Sequence, residues 1–326
     1  MDSNANYVDD ATQPLCPLCG NDGVDFEAPA STELIVKLYG AEMQDRVRNE
    51  FNGTMALDVC RCKRCALCFF EPRLAGSPEF YRKLHSFDWY YQQDKAEYDM
   101  AKKWVMPNTR ILEVGCGAGW FRKKLPQVQY LGLEYSESAA TEARAKGLEI
   151  EMTSIEEHAP SHKSCYQVVC AFQVLEHVSN PATFIAACID CLEPGGMLIY
   201  AVPSDDSYLR YFQNAATNLP PHHITRWPDR TLEAIAELFP VDLIALEHEV
   251  LSDIHIQSCA RTIVKRRLNT IFGRREEIVD RSFASRLLDR CARGLTRIVS
   301  TTFSDSEFRP RGHTVIAAYK KHGHQR

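Results

Sequence analysis

Three groups of residues have types and spacing that chemistry needs. The first is Glu113-Val-Gly-Cys-Gly-Ala-Gly119, where three glycines follow a short apolar run (Ile111, Leu112, Val114). Such a run reads as a buried parallel strand, and Trp120 to Leu125 reads as the start of the next helix. Gly115, Cys116, Gly117 and Gly119 then form the turn at the carboxyl end of a strand, where bare backbone can approach a nucleotide closely. A second strand, Gln129 to Glu134, ends in an acid 19 residues after Gly115, a distance at which a carboxylate accepts hydrogen bonds from ribose hydroxyls. A dinucleotide fingerprint would need a third glycine at position 120, which is Trp. Glu113 decides between nucleotides, because an acid just before the glycines suits the ammonium group of a methionine moiety.

The second group is made of cysteines. Cys16 and Cys19 form one Cys-x-x-Cys pair, and Cys60, Cys62, Cys65 and Cys68 cluster after a long gap. Two such turns offering two thiolates each make the closed tetrahedral site of structural zinc. That set has no open position for substrate, so its expected task is to fold a small module lacking a core, not catalysis. The third group is His222 and His223, held by Pro220 and Pro221 in a stiff loop after the fifth strand, Met197 to Val202. A histidine there can overhang the glycine loop as a base or substrate ligand, or only buttress the loop through backbone hydrogen bonds.

The elements around these groups follow a pattern. Leu148 to Met152 reads as a third strand, Asp229 to Phe239 as an amphipathic helix, Val241 to Val250 as a strand and Thr314 to Lys320 as the last strand. In order, Glu113–Gly119, Leu131-Gly-Leu-Glu-Tyr-Ser136, Tyr166 to His177 and Leu192-Glu-Pro-Gly-Gly-Met-Leu-Ile199 resemble class I S-adenosylmethionine-dependent methyltransferases from about Trp89 to Lys321. The Leu-Glu-His before an Asn-Pro helix start is typical of members acting on small molecules. The resemblance implies that Glu113, Gly115, Cys116, Gly117 and Gly119 face the methionine portion, Glu134 the ribose, and Ser154 and Ile155 the adenine, with Glu156 as a further adenine candidate and Tyr135 a further cofactor contact. Gln173 and His177, at the end of the fourth strand, are placed beside the cofactor. Cys65-Ala-Leu-Cys-Phe-Phe-Glu-Pro-Arg73 resembles the ending of bacterial zinc ribbons fused to methyltransferases. It selects Cys16, Cys19, Cys62 and Cys65 as ligands, with Cys68 an alternative and Cys60 a bystander.

The implied fold class is α/β: a Rossmann-like seven-stranded sheet with an antiparallel last strand, a small N-terminal zinc ribbon and a helical insertion before the last strand. The expected division is 1–75 for the ribbon, 76–107 for a helical connector with Tyr98, Ala101 and Val105 on one side, and 108–326 for the larger domain. The insertion spans about 254–310. Between Arg261 and Arg297 it carries eleven Lys or Arg against four acids. A solvated face over a helical lid fits this pattern, and so does peripheral contact with an anionic membrane or a partner.

The 326 residues suffice for two domains, and a net charge of -5 gives no global basic footprint for nucleic acid. The N-terminus is acidic and polar, and no apolar run reaches the ~20 residues of a membrane span. A cytoplasmic location is expected, with most of the 13 cysteines reduced. A small-molecule acceptor is expected, and the Pro-Pro-His-His loop resembles methyltransferases of polysaccharide and sugar-nucleotide gene clusters, implying a nucleotide-sugar or glycan intermediate methylated on oxygen or carbon. Two rivals are a nucleic-acid or protein methyltransferase that reads its target through the ribbon, and a silent cofactor-binding scaffold. The acidic balance and the lack of an Asn-Pro-Pro-Tyr motif oppose the former; the intact glycine loop opposes the latter. The sequence does not give the oligomeric state.

Overall fold

The computed structural model describes residues 13–87, 93–303 and 309–323. The polar N-terminal residues, the start of the methyltransferase resemblance at Trp89 and part of the insertion lie outside them.

The front end holds β1 (Val24–Phe26), β2 (Ala30–Ser31), α1 (Thr32–Val36), α2 (Ala41–Glu50), β3 (Ala56–Cys62) and β4 (Cys68–Glu71). The gap between the cysteine pairs therefore holds two helices, and Ile35, Val36, Met43, Val47, Phe51 and Leu57 are buried in a core completed by Phe80, Leu84 and Leu219 from later in the chain. This corrects the expectation of a module with no core. Cys60 and Cys68 are also buried, and burial pushes both thiols up to about 12.

A connector follows as α3 (Pro78–Leu84) and α4 (Ala96–Ala101), with Tyr98, Ala101 and Val105 buried together against Phe121 and Phe172. Ser77 caps α3 by accepting from the Phe80 N–H, and Pro78 takes the first helical position, where its missing N–H costs nothing.

The larger sheet uses β5 (Arg110–Val114), β6 (Gln129–Leu133), α5 (Glu137–Ala145), β7 (Glu149–Glu151), α6 (Ile155–His158), β8 (Tyr166–Phe172), α7 (Pro181–Cys191) and β9 (Leu192–Pro203). After β10 (Thr225–Arg226) come α8 (Asp229–Leu238), β11 (Val241–Val250), α9 (Ile256–Ile271), α10 (Phe283–Thr301) and β12 (Arg311–Lys321). The sheet order is β11-β12-β9-β8-β5-β6-β7, parallel from β9 to β7, with β12 antiparallel to both neighbours. Chain order reverses direction at β5, so the loop after it sits at the switch point where an α/β sheet opens a crevice. Trp120 to Leu125 does not start an α-helix: only a short 3-10 turn, Phe121–Lys124, forms there.

One pairing crosses the expected division. β10, which follows the histidine loop, adds to the front sheet in the order β1-β3-β4-β10, with Thr225 opposite Phe69 and Arg226 opposite Cys68. The Phe70 N–H donates to the Ile224 carbonyl at 3.2 Å and the Gly76 N–H to the Pro221 carbonyl at 2.8 Å. The front end thus grips the loop that carries His222 and His223.

Candidate active site

The turn after β5 needs left-handed backbone at three places: Gly115, Gly117 and Gly119 have φ of 69°, 54° and 72°. A side chain at any of them would be strained, and a Cβ on Gly115 would lie 2.6 Å from Val174 Cγ2. The Gly115 and Cys116 N–H groups donate to the Leu133 carbonyl, tying the turn to β6. The Cys116 side chain packs with Ala140, Ala143 and Ile150, and burial raises its thiol, as suits a small filler.

Two acids flank this turn. Glu134 accepts from the Gly117 N–H at 2.7 Å through Oε2 and from the Ser136 N–H at 2.7 Å through Oε1. Burial raises its carboxyl and those backbone donors oppose the rise. Glu113 is buried and accepts from the Tyr130 hydroxyl at 2.6 Å, while desolvation pushes its carboxyl up to about 8. An acid held near neutrality in a dry site gains most from a cation placed beside it. Tyr135 is exposed next to Glu134.

The adenine candidates have structural work. Ser154 is the N-cap of α6 in a capping box with Glu157, and Ile155 is buried in the main core. Gln173 stands at φ 57°, and its Nε2 donates to Glu97 Oε1 at 3.3 Å, fastening the connector to the end of β8.

The histidines gather with an acid. The His177 Nδ1–H donates to the His222 carbonyl at 2.6 Å, and His222 Nδ1–H donates to the Thr217 carbonyl at 2.7 Å. A carbonyl only accepts, so each ring carries its proton on Nδ1 and has its lone pair on Nε2. Tyr81, from α3, donates to the same His222 carbonyl at 3.2 Å. His223 Nδ1 lies 3.3 Å from Asn218 Oδ1. Burial drives all three imidazoles down, His177 to about 4. Glu176 is 1% exposed, and neither of its carboxyl oxygens has a hydrogen-bond partner among the described residues. Its Oε1 is 3.9 Å from His223 Nε2 and 4.0 Å from His177 Nε2, and desolvation pushes the carboxyl up to about 8. His222 is thus occupied in holding the loop, while His223, kept neutral by burial, faces the protonated carboxyl of Glu176 at 3.9 Å.

Two cavities border the segment after β9. One of about 10 Å³ touches Glu176, His223 and Arg226, room for a single water. The other, about 470 Å³, is lined by Tyr208, Tyr211, Arg266, Arg267 and Arg311 among others, a size that suits a small ligand. The Arg266 guanidinium lies 3.4 Å over the Tyr211 ring. Trp227 takes no part: it is fully buried, and its indole N–H donates to Thr225 Oγ1 at 3.0 Å.

At the front end, one sulfur from each of Cys16, Cys19, Cys62 and Cys65 lies within 4.8 Å of the others. Cys16 and Cys65 are 3.5 Å apart, as are Cys19 and Cys62. Four sulfurs around a tetrahedral zinc with Zn–S of about 2.3 Å stand ~3.8 Å apart, so the donor set fits that ion. Contact with Cys65 pulls the Cys16 thiol down to about 5. Cys68 and Cys60 lie outside the group.

Residues 101–243 match the model of a family described as a methyltransferase domain. Those residues, from the end of α4 into β11, carry a methyltransferase domain. A ubiquinone biosynthesis O-methyltransferase of Thiobacillus denitrificans is 31% identical to this chain over 112 residues, 30% of this chain and 48% of that protein. The protein of that name from Azoarcus sp. is 34% identical over 100 residues, 28% and 43%. The chain spans less than half the length of these curated relatives. A S-adenosylmethionine-dependent methyltransferase from Archaeoglobus fulgidus superposes with a TM-score of 0.47 at 16% identity, covering 74% of this chain and 100% of that one. The glycine turn, Glu113 and Glu134 lie together at the carboxyl ends of the neighbouring strands β5 and β6. Tyr81 and Glu97 reach the site from segments that carry no motif, so the sequence did not mark them.

Proposed function

We propose that the chain transfers a methyl group from S-adenosylmethionine to a small acidic acceptor, a nucleotide sugar or another intermediate of glycan biosynthesis. The observation that carries the acceptor class is the 470 Å³ cavity beyond the carboxyl end of β9, where Arg267 stands with Arg266 and Arg311, which pair with Glu276 and Asp229, beside Tyr208, Tyr211 and Asp206. Guanidinium groups recognise phosphate through paired N–H donors, and tyrosine rings suit the flat faces of a base or the apolar face of a sugar. The relatives' name, ubiquinone biosynthesis O-methyltransferase, favours oxygen over carbon as the atom methylated.

The bound cofactor supplies a methyl group already activated as a sulfonium. Glu113 balances the ammonium charge, the bare glycine backbone admits the methionine portion, and Glu134 keeps lone pairs for the ribose hydroxyls while bracing Gly117. What remains is alignment and removal of the acceptor's proton. His223, with Nε2 available and Glu176 beside it, is the proposed base, and His222 positions the loop. The four clustered cysteines hold a structural zinc that fixes the end of β3 and, through β4 and β10, the histidine loop.

The test is steady-state methylation of a panel of acidic and neutral acceptors by the chain and by an Arg266→Ala, Arg267→Ala double variant. Losing charge-assisted bonds to an anion should raise KM for the acidic acceptor by ~10-fold or more and leave KM for the cofactor unchanged. Preference for neutral acceptors, with the double variant unaltered, would contradict the reading.

A further inference from the structure

Helix α10 is packed the wrong way round for a soluble lid. At about 100° per residue its side chains fall on three faces. The face turned to the protein is small and polar, with Ser285, Ala292, Thr296 and Ser300 buried. It meets α9 through a polar seam in antiparallel order: Gln257 Nε2 donates to Ser300 Oγ at 3.1 Å, Lys265 Nζ to Ser285 Oγ at 3.0 Å, and Arg261 pairs with Asp289. The apolar residues point outward. Phe283 is 74% exposed and Ile298 69%, with Leu287 and Leu295 nearly half exposed between them. Ile271 and Phe272, at the turn end of α9, are exposed as well.

The third face is a stripe of arginines. Arg286, Arg290, Arg293 and Arg297 recur at steps of four and three residues, so they occupy one flank of the exposed apolar face. All four are exposed, and only Arg293 has an ion-pair partner among the described residues, the acid Asp289. Helix α10 thus shows solvent an apolar strip and a cationic strip side by side.

From this arrangement we infer that α10 docks in the plane of an anionic lipid surface, with Phe283, Leu287, Leu295 and Ile298 entering the headgroup boundary and the arginine flank meeting lipid phosphates. An apolar face flanked by cations is what such a surface takes up, and each basic residue near it contributes about fivefold in binding. Charge also argues against a second copy as occupant. An antiparallel two-fold pairing of α10 would set the arginine flanks of the two copies side by side, like charge against like. Among the described residues no helix is long and apolar enough to cross a membrane, so the contact is peripheral. This inference stands apart from the acceptor class proposed above.

The test is flotation of the full chain with vesicles of phosphatidylcholine alone and of phosphatidylcholine mixed with phosphatidylglycerol, beside its molar mass in solution. Two variants accompany it, Arg286→Glu with Arg290→Glu, and Phe283→Ser with Leu287→Ser; all four side chains are exposed, and unchanged cofactor binding shows that the fold survives. Expected is binding to the mixed vesicles only, weakened by salt, and reduced at least about tenfold in each variant. Absence of binding to the mixed vesicles, or binding that survives both variants, would overturn the inference. So would a dimer that the Phe283→Ser, Leu287→Ser variant dissociates while the wild-type chain ignores vesicles.

Discussion

The carboxylate of Glu134 accepts the Gly117 N–H at 2.7 Å, so the acid that ends β6 holds the glycine turn that follows β5. One residue therefore shapes the turn and supplies the ribose acceptor. Replacing it with Ala removes a charge-assisted bond to the turn and the expected bonds to the ribose, at ~1.5–3 kcal/mol for a bond to a charged group. Cofactor affinity by calorimetry should fall ~10- to 100-fold. Unchanged affinity would show that Glu134 only braces the turn.

Glu113 gives a prediction about protons. Buried and pushed up to about 8, it is mostly protonated at neutral pH in the free chain. An ammonium group placed beside it favours the carboxylate, so cofactor binding near pH 7 should release a proton. Calorimetry in buffers of different ionisation enthalpy reads that release directly. Glu113→Gln should abolish it, and a buffer-independent enthalpy for the wild-type chain would contradict the role.

Glu176 links pH to stability. Its carboxyl titrates at about 8 when folded against an ordinary 4.5, so between these values the folded chain holds a proton that the unfolded chain has lost. Its contribution is whole below pH about 4.5 and is lost as pH rises through about 8, with a slope of at most ~1.4 kcal/mol per pH unit. His177, down at about 4, works in the opposite sense below its ordinary 6.5, so the clear window is pH 6.5 to 8. Denaturant unfolding of the cofactor-free chain should show stability falling across that window, more gently in Glu176→Gln. A variant with the wild-type slope would contradict the buried, protonated acid.

His223→Ala should lower kcat by ~100-fold or more with little change in cofactor affinity, since general-base catalysis contributes on that scale. His222→Ala should instead destabilise the loop, because its ring N–H holds the Thr217 carbonyl and its own carbonyl holds His177 and Tyr81. Thermal unfolding separates the two: the His222 variant shifts and the His223 variant hardly does. Equal kinetic losses with equal thermal shifts would remove the division of labour.

Zinc content tests the front end. Atomic emission should find one zinc per chain, lost in Cys62→Ser, and chelation should lower the thermal midpoint. Because β10 joins the front sheet to the histidine loop, kcat should fall with the metal. A metal-free chain of undiminished stability would contradict the assignment.

The sheet was legible because its signals are local. Apolar residues at 111, 112 and 114 and at 168–172, glycines at 115, 117 and 119, and an acid at 134 fix strands and turn from neighbouring residues alone, and the strand from Val241 to Val250 matches its expected span. The four cysteines were legible through pair spacing and resemblance. Hidden from sequence was everything set by distant pairing: β10 closing the front sheet, Tyr81 reaching His222 across 141 positions, and Glu97 meeting Gln173. The core between the cysteine pairs escaped because Ile35, Val36, Met43 and Val47 sit on short helices whose partners, Phe80 and Leu219, are far along the chain. Helix α10 was legible only in part. Its basic excess was plain, but composition alone does not say which face turns inward.

The central claim is methyl transfer to a small acidic acceptor. Labelled methyl groups from S-adenosylmethionine, followed into a size-fractionated extract of the source organism, test it most directly beside a Gly117→Arg control, which forces a side chain onto backbone at φ 54°. Label should enter small anionic metabolites and vanish with the control. Label confined to macromolecules, or label the control leaves unchanged, would contradict it.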